Sequence, residues 1–339
     1  MQRGLNIAAV LAVVIAFGLI LVKNLPVSHQ DSLLNVSYDP TRELYQALNP
    51  LFEADFFQRT GRRLHVMQSH GGSSRQSRAV RSGDEPADVV TLGLYSDVDA
   101  LRQRGLIADR WADRLPNHSK PYTSTIVFVV RQGNPKEIHD WPDLLHPGVE
   151  IITPDPKTSG NGKLSALAAW GAIVTRGGTE SEAKHYLENF YQHARVLDAG
   201  ARAATATFAL AEIGDVHLTW ENEALREVAE SSGRLQLVYP PTSILAEPYV
   251  AWVDANVLKH KTAPEARQYL EFLFSDAAQR IIAQQGYRPY KSQFLQENAK
   301  LASINLFPLT AIARDWADAQ EKFFADNGII DIVLHERRP

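Results

Sequence analysis

The residues best placed to do chemistry in this chain are small ones. Thr158-Ser159-Gly160-Asn161-Gly162 sits between Pro156 and the helical run Leu164–Trp170. Three further segments share its design: Asp39-Pro40, His70-Gly71-Gly72-Ser73 and Asp198-Ala199-Gly200-Ala201-Arg202 each follow a strand-like run and open a helical one. A helix start leaves its first backbone N–H groups without intrahelical partners, with the positive end of the helix dipole behind them. That arrangement is a seat for an oxyanion. Gly and Ser recur wherever a strand turns into a helix, so one such loop says little. Four of them at matching strand ends point to a shared ligand.

Trp220, in Thr219-Trp-Glu-Asn-Glu223, offers a donor of another kind. An indole N–H donates and cannot accept, so it either completes a ring of neutral donors or rests on a core carbonyl. Lys157 and Arg202 flank two of the seats. They either supply charge there or pair with Asp155 and Asp198.

The apparatus for making and breaking bonds is missing. Gly162-Lys163 lacks the upstream Gly of a phosphate loop, because Lys157 stands in its place. Gly71-Gly-Ser-Ser-Arg75 breaks the nucleophile elbow at its last position. The 11 His form no HxH or HxxxH pair, and there is no Cys to supply a thiolate, a disulfide or a metal ligand. Glu221 and Glu223 read as acids at a helix start, where the dipole favours them. The expectation is binding without catalysis, and neither cofactor nor metal.

These loops are positioned by alternating elements. The spacing predicts strands at Leu33–Tyr38, Arg63–Gln68 and Ala87–Leu92, with helices at Thr41–Thr60, Ser74–Ser82 and Tyr95–Arg104. Asp39 reads as the N-cap of the first helix, with Pro40 at its first position. A β-branched run, Thr123–Val130, is long for one strand. A second series follows: strand Glu150–Thr153, helices Gly162–Thr175 and Ser181–His193, strand Arg195–Leu197, helix Ala203–Ala211, strand Asp215–Trp220, helix Glu221–Ser231 and strand Leu235–Tyr239. Ala246–Val253 is again extended, and the remainder from Ala263 is mostly helical. The fold class is α/β, with mainly parallel sheets covered by helices on both faces. Two lobes are expected, residues 31–117 plus 250–339 and residues 118–249, joined by chain crossings near 121–130 and 246–253. The alternative is a pair of tandem domains on one linker, although no Pro/Gly/Ser-rich linker stands out. Ligands of open α/β sheets sit beyond the carboxyl ends of the strands, where all four seats fall.

Size and charge agree with this picture. At 339 residues the chain exceeds one typical compact core. Its formal charge is −4; removing residues 1–28 takes away Arg3 and Lys23 and no acid, leaving −6. A net-negative body without a basic stripe argues against a nucleic-acid partner. Any anion it binds must be captured locally. The N-terminus carries Arg3, an apolar run from Ile7 to Val22, and Lys23. That is the layout of a secretory signal, while its length and poor cleavage region leave an uncleaved membrane anchor as the alternative. Either way the rest of the chain is exported.

The motifs together resemble a known family. Leu34-Asn-Val-Ser-Tyr-Asp-Pro-Thr-Arg-Glu-Leu-Tyr45, Gln68-Ser-His-Gly-Gly-Ser73, Pro156-Lys-Thr-Ser-Gly160, Leu167-Ala-Ala-Trp-Gly171, Gly200-Ala-Arg202 and Trp220-Glu-Asn-Glu223 are similar, in order, to periplasmic sulfate-binding proteins of ABC importers. The resemblance runs from about residue 33 to Tyr290. It implies a two-lobed, type II-like periplasmic binding protein with two hinge crossings that closes on its ligand. It implies a monomer that delivers sulfate to a membrane permease. By motif, N–H donors come from Ser73, Gly160, Asn161 and Ala201, a hydroxyl from Ser159 and an indole N–H from Trp220. Asp39 organises its helix start, and Gly72 and Arg202 support the site. Ser-Gly-Asn is similar to the thiosulfate-binding branch, whereas Trp220 is similar to the sulfate branch. A donor-only cage suits fully ionised sulfate, since hydrogen phosphate keeps a proton that needs an acceptor. An unpaired O–H there costs about 1–3 kcal/mol, roughly tenfold to a hundredfold or more in affinity. Two readings stay open beside this one, a tethered anion sensor and an exported ester hydrolase.

Overall fold

The computed structural model describes residues 32–336, apart from 297 and 299. The expected signal or anchor, residues 1–28, lies outside the described residues. The first α/β series is β1 (Ser32–Tyr38), α1 (Arg42–Thr60), β2 (His65–Gly71), α2 (Ser73–Ser82), β3 (Val89–Leu92) and α3 (Tyr95–Arg102). The second is β5 (Ile126–Arg131), β6 (Ile151–Pro154), α4 (Gly160–Val174), α5 (Glu180–His193), β7 (Ala194–Asp198), α6 (Ala201–Thr205), β8 (Val216–Trp220), α7 (Glu221–Glu230) and β9 (Leu235–Val238). They are separated by β4 (Tyr122–Thr123) and followed by β10 (Thr242–Ile244) and β11 (Tyr249–Trp252).

Two main sheets result, one per lobe, beside two two-stranded ladders. The first has strand order β11-β3-β1-β2 and the second β7-β6-β8-β5-β9. Strands fed by βα units pair in parallel: β1 with β2 and β3, and β6 with β7 and β8. The antiparallel members, β5 and β11, are the strands that follow a passage between lobes and so enter their sheet from the opposite end. Alternate side chains of a strand face opposite sides, and here both sides are core. Val89 packs with Leu33 and Tyr45, while its neighbour Val90 packs with Val36 and Val98. Likewise Val127 and Val129 face Phe208, and Phe128 and Val130 face Trp141.

The long run Thr123–Val130 is broken. Tyr122–Thr123 pairs with β12 (Arg288–Pro289) in a small hinge ladder, and Ser124 bridges to Ala246. Thr125 Oγ1 then donates to the carbonyl of Ile244, so the strand changes partners as it passes from one lobe to the next. The expected helix Ala203–Ala211 begins two residues earlier and ends in a π-turn over Ala206–Leu210.

The C-terminal tail departs most from expectation. Residues 250–289 stay on the first lobe, where helices Asp254–His260, Ala263–Phe272 and Asp276–Gln284 cover its sheet. The chain then crosses a third time. β13 (Asn305–Phe307) pairs in parallel with β10, and Phe307, Phe323, Ile330 and Val333 enter the second lobe's core. The anchor is a close approach: a Cβ added to Gly171 on α4 would meet Phe307 Cζ at 2.1 Å. Trp170 meets Phe323 edge-on at 5.1 Å between centroids. Residues 305–336 therefore pack on the second lobe and not, as expected, on the first. Their large apolar side chains are what complete its core.

Candidate functional site

Six strand ends come together between the lobes. Glycines make the approach possible, as shown by what a Cβ added to each would touch. On Gly72 it would lie 2.7 Å from the carbonyl oxygen of Thr158 and 3.3 Å from that of Ala199. On Gly160 it would lie 3.1 Å from Ser73 Cβ, and on Gly200 2.8 Å from Asp39 Oδ2. On Gly93 it would lie 3.3 Å from Trp220 Cζ2. The loops after β1, β2 and β3 thus meet the loops after β6, β7 and β8 at backbone contact. Asp39, Gly72, Ser73, Gly160 and Trp220, all singled out from the sequence, are at this meeting.

Three helix starts aim donors into it. Gly72, Ser159 and Gly200 are the N-caps of α2, α4 and α6, and none of them makes a side-chain cap bond. The N–H groups of Ser73, Gly160, Asn161 and Ala201 occupy first turns, where the helix itself provides no acceptor. None of the four has a backbone acceptor elsewhere among the described residues. Ser159, Asn161, Ala201 and Trp220 are each no more than 2% exposed.

The two serines have different commitments. Ser73 donates its hydroxyl to Asp97 Oδ2 at 2.6 Å and accepts from the Gly93 N–H at 3.0 Å, so only its N–H faces the cleft. No hydrogen bond from the Ser159 hydroxyl is present among the described residues. Trp220 is similar. The indole N–H groups of Trp111, Trp141 and Trp252 reach Asp99, the carbonyl of Thr242 and Asp254, whereas that of Trp220, like that of Trp170, reaches no acceptor among the described residues. Its ring is held by Tyr38 of the other lobe, with centroids 5.1 Å apart. The reading of Trp220 as a core indole resting on a carbonyl is not what the structure contains.

Asn161 has an ordinary right-handed helical backbone, absent from the positive-φ set, so its side chain does not compromise its N–H. The carboxamide turns away and donates to the carbonyl of Leu218 at 3.0 Å, tying the start of α4 to β8 two residues before Trp220.

Asp39 differs from expectation. Tyr38 is the N-cap; Asp39 and Pro40 lie inside a 3₁₀ turn, Asp39–Thr41, that leads into α1. Pro40 fixes φ and needs no acceptor, which suits that first turn. The Asp39 carboxylate packs against Gly200 of the other lobe. Burial pushes its pKa up, opposed by Arg42, Arg202 and Arg75.

The flanking cations are taken up elsewhere. Lys157 pairs with Asp331 on the tail helix Ile329–Glu336, not with Asp155. Arg202 pairs with Glu43 across the cleft and with Glu223 at 2.8 Å, not with Asp198. Arg226 joins both acids at 3.1 and 3.0 Å. Glu223 is fully buried, which pushes its pKa up to about 7 against the pull of Arg202 and Arg226. These charges fasten the lobes together at the rim and leave neutral donors at the centre. Sequence reasoning missed Asp97, Glu43 and Lys163, because the serines that Asp97 holds are more than twenty residues away and the partners of Glu43 and Lys163 lie across the cleft. No group of three or more potential metal ligands occurs among the described residues.

His70, on the loop before Gly72, has Nδ1 2.7 Å from Ser37 Oγ. Burial, aided by Arg42 and Arg202, brings its pKa down to about 4. An unfolded chain binds this proton near pH 6.5, so stability falls as pH drops from about 6.5 to 4. His70→Gln is expected to flatten that decline in denaturant melts at pH 7 and pH 5. An unchanged slope would place the titrating group elsewhere.

Two α/β lobes closing donor-lined strand ends over a cleft define a solute-binding protein of the two-lobed kind. The model of the bacterial extracellular solute-binding protein family matches residues 34–288, and the chain belongs to that family. It is 45% identical to the sulfate-binding protein of Salmonella typhimurium over 322 residues, covering 94% of this chain and 98% of the relative. It is 44% identical to the thiosulfate-binding protein of Pseudomonas aeruginosa over 305 residues, covering 89% and 91%. Among solved structures, the sulfate-binding protein SubI of Mycobacterium tuberculosis superposes with a TM-score of 0.77 at 29% identity, covering 86% of this chain and 99% of that one. A periplasmic thiamin-binding protein, at 17% identity and a TM-score of 0.65, shares the fold.

Proposed function

We propose that this protein is an extracytoplasmic receptor that binds sulfate between its lobes and delivers it to the membrane permease of an ABC importer. One observation supports the reading: four first-turn N–H groups, the Ser159 hydroxyl and the Trp220 indole lie on facing strand ends of the two lobes, with no protein acceptor among the described residues. Neutral donors of this kind match an anion that carries full charge and no proton. The identity to sulfate- and thiosulfate-binding proteins supports the same reading. In it, Asp39, Gly72 and Arg202 shape the site, the lobes hinge about the crossings, and a free monomer works in the periplasm after its N-terminal signal is removed. No helix among the described residues is long and apolar enough to cross a membrane.

The test is thermal melting and calorimetry with sulfate, thiosulfate and phosphate. A specific ligand raises stability by RT ln(1 + [L]/Kd), about 2.7 kcal/mol at one hundred times Kd. Sulfate is expected to raise the midpoint, and hydrogen phosphate to bind roughly tenfold to a hundredfold more weakly. No shift with sulfate refutes the proposal, and a larger shift with thiosulfate reassigns the ligand.

A further inference from the structure

Beside the cage lies a second space between the lobes, a cavity of about 560 Å³. Arg78 and Arg81 on α2, Asp97 on α3, Lys157 and Lys163 from the second lobe and Phe324 of the tail line it. It shares a wall with the cage. Ser74 follows Ser73, both hydroxyls end on Asp97, and Lys163 is the third residue after Gly160. Two of its cations are left over once the pairs are counted. Asp97 is occupied by the two serines and lies 3.8 Å from Lys163, Asp99 is held by Arg102 and Trp111, and Lys157 is paired with Asp331; Glu321 sits exposed at the rim. Arg78 and Arg81 have no ion-pair partner among the described residues. Arg81 Nε is buried without a hydrogen bond, and burial together with Arg104 and Arg78 pulls its pKa below the ordinary value.

This placement answers a difficulty. The chain is net negative and the cage is neutral, so neither attracts a dianion from a distance. Unpaired cations in a cleft with low-dielectric walls focus the field and raise encounter rates. We propose that the cavity is an antechamber, a second and transient anion site, whose Arg78 and Arg81 draw sulfate between the lobes before the cage closes. This rests on the sulfate reading above. It assigns the two arginines to the rate of capture, and the grip on the captured ion to the cage alone.

Stopped-flow tryptophan fluorescence on the full chain tests it, with sulfate as the probe and chloride setting the ionic strength. Two unit charges acting on a dianion from on the order of 10 Å change the encounter rate by about fivefold to tenfold at ~10 mM ionic strength, and by about twofold near ~150 mM. Arg78→Gln with Arg81→Gln is therefore expected to slow association by about that much at low salt, with a flattened salt dependence and an unchanged dissociation rate. Arg78→Glu alone, at an exposed position that leaves packing intact, is expected to slow it in the same direction. Association rates equal to the parent's at low salt in all variants overturn the proposal. So does a dissociation rate that rises with the loss of charge, which would make the arginines contacts of the bound ion. Failure of the unaltered protein to bind sulfate overturns the underlying reading instead.

Discussion

Replacing Gly72 with alanine is expected to leave the protein folded and to remove most of its affinity for sulfate. The backbone at Gly72 has φ −58° and ψ 132°, which any residue adopts without strain. Within its own lobe the added methyl is tolerated, and by restricting the unfolded chain it stabilises by up to about 1 kcal/mol. The conflict lies across the cleft, where that Cβ meets the Thr158 carbonyl oxygen at 2.7 Å and that of Ala199 at 3.3 Å. Both neighbours are backbone and cannot rotate away. The lobes must part, and donors spaced for one small ion lengthen together. Overpacking of this kind costs about 1–3 kcal/mol, roughly fivefold to 150-fold in Kd. Calorimetry with sulfate, beside a melt without it, separates the two effects. Affinity within twofold of the parent would show that the lobes never close this far.

Ser159→Ala and Trp220→Phe are expected to weaken sulfate binding by about 1.5–3 kcal/mol each, the range for hydrogen bonds to charged groups. Each change is confined to one donor. The Ser159 side chain makes no cap bond to lose, and phenylalanine keeps a ring against Tyr38 while deleting the N–H. Both donors reach one ion, so the double variant is not expected to show the sum of the single losses, and a double-mutant cycle measures their coupling. Unchanged affinity in both single variants would show that these donors are misassigned.

Much of this was legible in the sequence because the signals are local. Short unbroken apolar runs mark the strands buried on both faces, as at Ile126 to Val130, and Gly-Ser stretches at their ends mark the helix starts. Both depend on residues within one turn of each other. The partners of the charges were not legible. Asp155 and Asp198 are next to Lys157 and Arg202 in sequence, yet the acids they meet are Asp331 and Glu43, brought in from other lobes and ends of the chain. Asp39 illustrates a second limit. Its N-cap composition is correct for a helix start, but Pro40 tightens the turn and moves the cap to Tyr38. The tail's amphipathic pattern announces a packed surface without naming which. Only the match of Phe307 to the bare backbone at Gly171 decides it.

That tail also bears on how the molecule comes into being. The first lobe's sheet needs β11 and the helices up to Gln284, and the second lobe's core needs Phe307 through Val333. The first lobe lacks its covering helices until Gln284 has been made, and the second lacks part of its core until Val333 has. Closure of such long-range contacts is slow compared with local helix formation. The second lobe therefore waits for residues 307–333 to finish its core, although its own sheet is complete by Val238. Order of synthesis and order of folding are thereby uncoupled.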